Sequence, residues 1–175
     1  MSKMPITQKP KVIDVTANPI DDGETLARLL CSPLYFDETS KIVNLDAFDL
    51  RRLPSGDLEE YVSLARIQNF DSKEGFNEYL ATKGYEIWDD KQNDNNKYYG
   101  YGRFNCKEAR EVHEMIVINP LIGKNKSHVG LFYKHSSGGY YCGPLPKEDP
   151  TVLEVLHDLS SLLEVQKAPD RIVTK

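Results

Sequence analysis

The sequence predicts a single α+β domain built on a mostly antiparallel sheet, with about three to four helices packed mainly on one face. Three observations carry this expectation. The 175 residues make one ordinary core and are too few for two well-packed ones. A content of 39% hydrophobic and 28% charged residues suits a packed chain, whereas a disordered one would be poorer in aliphatic and aromatic side chains. Strand-like and helix-like runs interleave irregularly, without the regular alternation of a doubly wound parallel sheet.

Residues 1–10 hold Pro5 and Pro10 and little apolar content, so they are expected to form a flexible arm unless a partner or a sheet edge holds them. The domain follows over 11–166. Val12 to Val15 fits a short strand. Asn18 to Gly23 supplies turn and cap chemistry, and Leu26, Leu29 and Leu30 recur at helical spacing, which predicts a helix over 22–31 ended by Ser32 and Pro33. Between Lys41 and Arg52, Ile42 to Leu45 suits a strand and Ala47 to Leu50 a turn or helical turn. Leu53 to Asp57 is a break, after which Val62, Leu64 and Ile67 roughly alternate with polar neighbours, as in a strand over 60–67.

Asp71 or Ser72 caps a helix over 72–83 in which Phe76, Tyr79 and Leu80 share a face, and Gly84 sits where a left-handed terminal residue is wanted. Residues 89–97 lack apolar side chains and predict an exposed loop. Tyr98 to Phe104 is a strand whose glycines, Gly100 and Gly102, alternate so that another backbone or a ligand can come close. Asn105 caps a short helix over 106–113, with Glu108 at capping-box spacing. Met115 to Ile118 and His128 to Tyr133 are central strands, and His135 to Gly139 is a hairpin connection into Tyr140 to Cys142. Asp149 and Pro150 open the clearest helix, over 150–165, with Val152, Val155, Leu156, Leu159, Leu162 and Leu163 on one face. Residues 167–175 are a polar tail.

Composition also excludes function classes. The net charge of −5 offers no basic field for a nucleic-acid backbone, and the acidity lies within residues 1–100. Cys31, Cys106 and Cys142 are odd in number and widely spaced, which indicates neither a disulfide framework nor a zinc knuckle and suits a reducing cytoplasm. No secretion signal or membrane-length apolar run occurs in the sequence, and no cofactor or metal motif is expected.

Four groups of residues could carry function. Arg51, Arg52, Glu59, Glu60, Ser63 and Arg66 gather around the Pro-Ser-Gly turn, where guanidinium forks could hold an anion or the same charges could bridge a sheet surface. His128 opens an apolar strand, and its imidazole suits proton transfer near neutrality, but His128 and His135 differ by an odd number and would face opposite ways on one strand. The turn Ser136 to Gly139, and Arg103 before the helix start at Asn105, could hold an anion on backbone amides. Tyr98, Tyr99, Tyr101, Tyr140 and Tyr141, with Tyr133, could supply rigid area to a protein partner or pack across strands.

The leading expectation is a small accessory protein that docks another protein through an aromatic and acidic surface. The alternative is an enzyme on a phosphate-bearing or other anionic substrate, with His128 as acid or base, Glu60 as partner and Arg66, Arg103 or Arg52 as anion holders. A third is an acidic neutralising partner of a basic protein, of antitoxin or immunity type.

Overall fold

The structure, a computed structural model, describes residues 5–8, 10, 12–14, 19–70, 72–90, 95–124 and 126–172. In chain order its elements are β1 (Ile6–Thr7), β2 (Thr25–Ser32), β3 (Phe36–Asp37), β4 (Ile42–Val43), β5 (Val62–Arg66), α1 (Lys73–Tyr85), β6 (Lys97–Asn105), α2 (Cys106–Val112), β7 (Ile116–Pro120), β8 (His128–Tyr133), β9 (Tyr140–Tyr141), α3 (Pro150–Leu162) and β10 (Glu164–Lys167). Six of the strands form one sheet in the order β10-β6-β2-β5-β8-β7, with every neighbouring pair antiparallel. The α+β class and the antiparallel sheet are therefore as expected, and the helices among the described residues are three.

The main correction falls on 22–31, which is strand β2 rather than a helix. Leu26, Leu30, Ala27 and Cys31 are all buried. They serve a strand flanked by β5 and β6 and covered on both faces, and such a strand carries a nearly continuous apolar run that leucines at three and four can imitate. Arg28 in its middle is buried too, donating from Nε to the carbonyl of Ala47 at 2.8 Å and from Nη1 to that of Ser63 at 3.2 Å. Those bonds hold the 3-10 turn Leu45–Ala47 against the sheet.

Alternation along the strands divides the core. Leu26, Leu30, Val62, Leu64, Val129 and Leu131 share a cluster with Ala109 of α2 and with Val152, Val155, Leu156 and Leu159 of α3. Ala27 and Ala65 instead pack against Phe76 and Leu80 of α1. The helices thus lie on both faces, two against one, because the small residues of the second face leave room for the aromatic side of α1.

The caps follow the local chemistry. Ser72 accepts from the amide of Gly75, Asn105 from that of Glu108 and Asp149 from that of Thr151, with Pro150 in the first turn of α3. Gly84 does not end α1 in a left-handed conformation. It lies inside the helix, where a Cβ would come within 2.1 Å of the Tyr98 ring, so its lack of a side chain makes room for that ring.

The glycines of β6 do admit another backbone. A Cβ on Gly100 would stand 2.0 Å from the carbonyl oxygen of Gln166, and one on Gly102 would stand 2.8 Å from Leu163 Cδ1. The segment pressed there is β10, where a polar tail and the end of a longer helix are expected. Leu163 is already extended, so α3 stops at Leu162 and the chain turns back along β6. Residues beyond it stay attached: Ala168 N–H donates to Tyr99, Ile172 N–H to Ala81, and Tyr85 hydroxyl to the carbonyl of Pro169.

At the other end of the chain a sheet edge holds part of the arm, since β1 pairs with β9. Ile13 bridges to Leu121, while Val15 lies outside the described residues. Of the 89–97 loop, Asp89 and Asp90 end a wide helical turn over Glu86–Asp90, Lys97 begins β6, and 91–94 lie outside the described residues. Among the described residues no helix is long and apolar enough to cross a membrane.

Candidate functional site

The side chains singled out for an anionic substrate stand apart. Reading across the sheet, Arg103 pairs with Ala27, Ala27 with Ala65 and Ala65 with His128. Arg103 and His128 share a face but are separated by three strand spacings, roughly 14 Å. Arg103 donates to Glu164 at 2.8 Å. Arg66 follows Ala65 and so turns to the opposite face, where its Nε and Nη2 each reach an oxygen of Glu24 at 2.8 Å, with both side chains 11% exposed. Glu60 precedes β5 and lies up to roughly 20 Å from Arg66 along the chain. Arg52 is exposed and bridges to Leu58 across the Pro-Ser-Gly turn, and Arg51 pairs with Glu59.

His128 is half-buried, with its ring edge-on to Tyr79 at 6.2 Å between centroids. Burial, with smaller contributions from Lys124 and Lys83, lowers its pKa below the ordinary imidazole value. Its Nδ1 is buried without a hydrogen-bond partner among the described residues.

The tyrosines are distributed rather than gathered. Tyr98 is buried against Gly84 and Tyr85, and Tyr101 meets Phe76 of α1 edge-on at 5.4 Å. Tyr140 and Tyr141 belong to β9, packing on Phe132 and His135. Tyr99 leans on Phe36 at 4.6 Å, with Lys41 Nζ 6.0 Å from both rings.

Among the described residues, two hollows stand out. The larger, about 480 Å³, lies between the Ser136–Gly139 turn and the start of α3, and includes His113, Lys134, His135, Tyr141 and Asp149. Three of its polar side chains are engaged in local structure. His113 Nδ1 accepts from the amide of Met115, His135 Nδ1 lies 2.7 Å from Ser137 Oγ and accepts from its amide, and Asp149 caps α3.

The second hollow, about 420 Å³, is a groove between Lys41–Leu45 and the end of α3, continuing onto Leu163 and Val165 beside β10. Ile42 on its wall is 58% exposed. Lys41 and His157 are its titratable lining residues, and Ser160, whose hydroxyl is buried with no partner among the described residues, is part of it. Backbone groups complete this site. Because Ala168 N–H bonds to Tyr99, the even-numbered residues of β10 face β6, and the N–H and C=O groups of Val165 and Lys167 face outward. Among the described residues no strand pairs with that outer side. The opposite edge strand, β7, ends on Pro120 and takes the 12–14 segment alongside it, with Asp14 N–H donating to Pro120.

None of the groove residues is marked by a motif. Residues 41–45 and 157–165 meet because α3 packs against the Leu45–Ala47 turn and β10 returns along β6, and the local hints are the short Ile42-Val43 run and the period-two pattern of Glu164–Lys167. No family model, curated protein or solved structure matches the chain.

Proposed function

We propose that this chain is a protein-docking module that receives an extended segment of a partner as an added strand along β10. The observation that carries this reading is the open edge: outward backbone groups at Val165 and Lys167 stand beside an apolar groove. An added strand supplies the missing hydrogen bonds, while its alternate side chains enter the groove and give selectivity. Of the tyrosines expected to dock, Tyr99 has its ring 6.0 Å from Nζ of Lys41, a lining residue of this groove.

An enzyme built on His128, Glu60, Arg66 and Arg103 would need these groups within hydrogen-bond reach of one molecule. Their separation over two faces and several strands gives that reading no support.

Val165→Pro tests the docking reading. Proline removes the outward N–H of Val165 and leaves the β6 ladder, made through Glu164, Gln166 and Ala168, intact. Affinity capture from the native host, at low and moderate salt, should return a stoichiometric partner with the parent chain and lose it with the variant. A partner retained equally by both chains would overturn docking at this edge.

A further inference from the structure

We infer that the segment received along β10 is acidic, with apolar side chains at alternate positions. This deepens the strand-addition reading above and rests on it.

Charge is the first argument. In a chain of net charge −5, the groove has lysine and histidine but no carboxylate among its lining residues. Lys41 has no acidic partner among the described residues, and neither does Lys167, which follows Val165 on the same face of β10. Of the acids nearby in sequence, Glu38 and Asp170 make no ion pair with either lysine, and two others are engaged elsewhere. Asp37 accepts from the amides of Thr39 and Ser40, and Glu164 is on the other face of β10 with Arg103. A docked segment bearing carboxylates would therefore meet uncompensated positive charge.

Shape is the second argument. Ile42, Val43, Leu163 and Val165 make the apolar part of the groove, so the side chains that enter from an added strand are apolar ones, two residues apart.

The same charges disfavour a second copy of this chain at the edge. A two-fold axis perpendicular to the sheet at this edge would pair β10 with itself antiparallel and set Lys41 and Lys167 of both copies on one face, where like charges across adjacent strands repel.

The test titrates the full chain with two labelled seven-residue peptides, Glu-Val-Glu-Val-Glu-Val-Glu and Lys-Val-Lys-Val-Lys-Val-Lys, followed by fluorescence anisotropy at low and moderate salt. The Glu peptide should bind, more weakly as salt rises, and the Lys peptide should not. Lys41→Glu should weaken the Glu peptide about two- to fivefold and strengthen the Lys peptide. Val165→Pro should abolish binding, and Ile42→Asp, at an exposed position where folding is not at stake, should weaken it as well.

If both peptides bind alike and both are lost in Val165→Pro, the acidic preference is wrong while the edge remains a docking site. If neither peptide binds, or if both Val165→Pro and Ile42→Asp leave binding unchanged, the strand-addition reading fails and takes this inference with it. A concentration-dependent dimer in sedimentation, abolished by Val165→Pro, would assign the edge to a second copy and overturn the inference.

Discussion

Single residues decide several of the packing contacts. Glu24 and Arg66 form a two-bond ion pair joining the start of β2 to the end of β5, and removing one partner strands a charge with little water around it. Arg66→Ala should lower unfolding stability by about 3–5 kcal/mol in urea titrations. Gly84 gives a sharper test, since alanine is favoured over glycine in a helix interior by about 1 kcal/mol. Here a Cβ would enter the Tyr98 ring, so Gly84→Ala should destabilise the protein by about 1–3 kcal/mol despite the better propensity. His128 links pH to stability. Its pKa is lowered in the folded state, so between that value and the unfolded value near 6.5 the unfolded chain binds more protons. The His128 contribution therefore weakens stability as pH falls through about 6.5 and has no effect well above it. His128→Gln should flatten the rise in melting temperature over this interval; an unchanged profile would assign the slope to other groups.

At the scale of elements, the N-terminal caps that the sequence displays for the three helices are the ones the structure uses. Asp149 with Pro150, Ser72 and Asn105 start the three helices, and Asp149→Ala should cost about 1 kcal/mol, measured by thermal unfolding. The elements hidden from sequence reasoning are those whose environment supplies the missing information. Strand β2 looks helical because both of its faces are covered, and β10 looks like the end of a helix and the start of a tail because it is a short edge strand with only partly buried side chains. The signal for β10 is on another strand, in the alternate glycines of β6, whose absent side chains admit its backbone and Leu163. Gly100→Val should accordingly displace β10 and speed amide exchange at Ala168, while β5 and β8, on the far side of β2, keep their protection.

For the molecule as a whole, burial and ion pairing claim most of the residues that looked functional. Arg66 and Arg103 have carboxylate partners and Tyr98 and Tyr141 are in the core, whereas the groove draws on residues from opposite ends of the chain. Local sequence contains little of that groove because it is a product of topology, made where α3 packs on the Leu45–Ala47 turn and β10 joins β6. The strand order has a further consequence for the chain as it is made. β6, β2, β5, β8 and β7 have all left the ribosome before β10 does, so the glycine-bearing flank of β6 waits without its neighbour. At about 5–20 residues per second, the interval between Asn105 and Glu164 lasts several seconds. During translation this protein passes through a period in which β6 is its own vulnerable border, and a chaperone that shields strands would be needed most before Glu164 emerges.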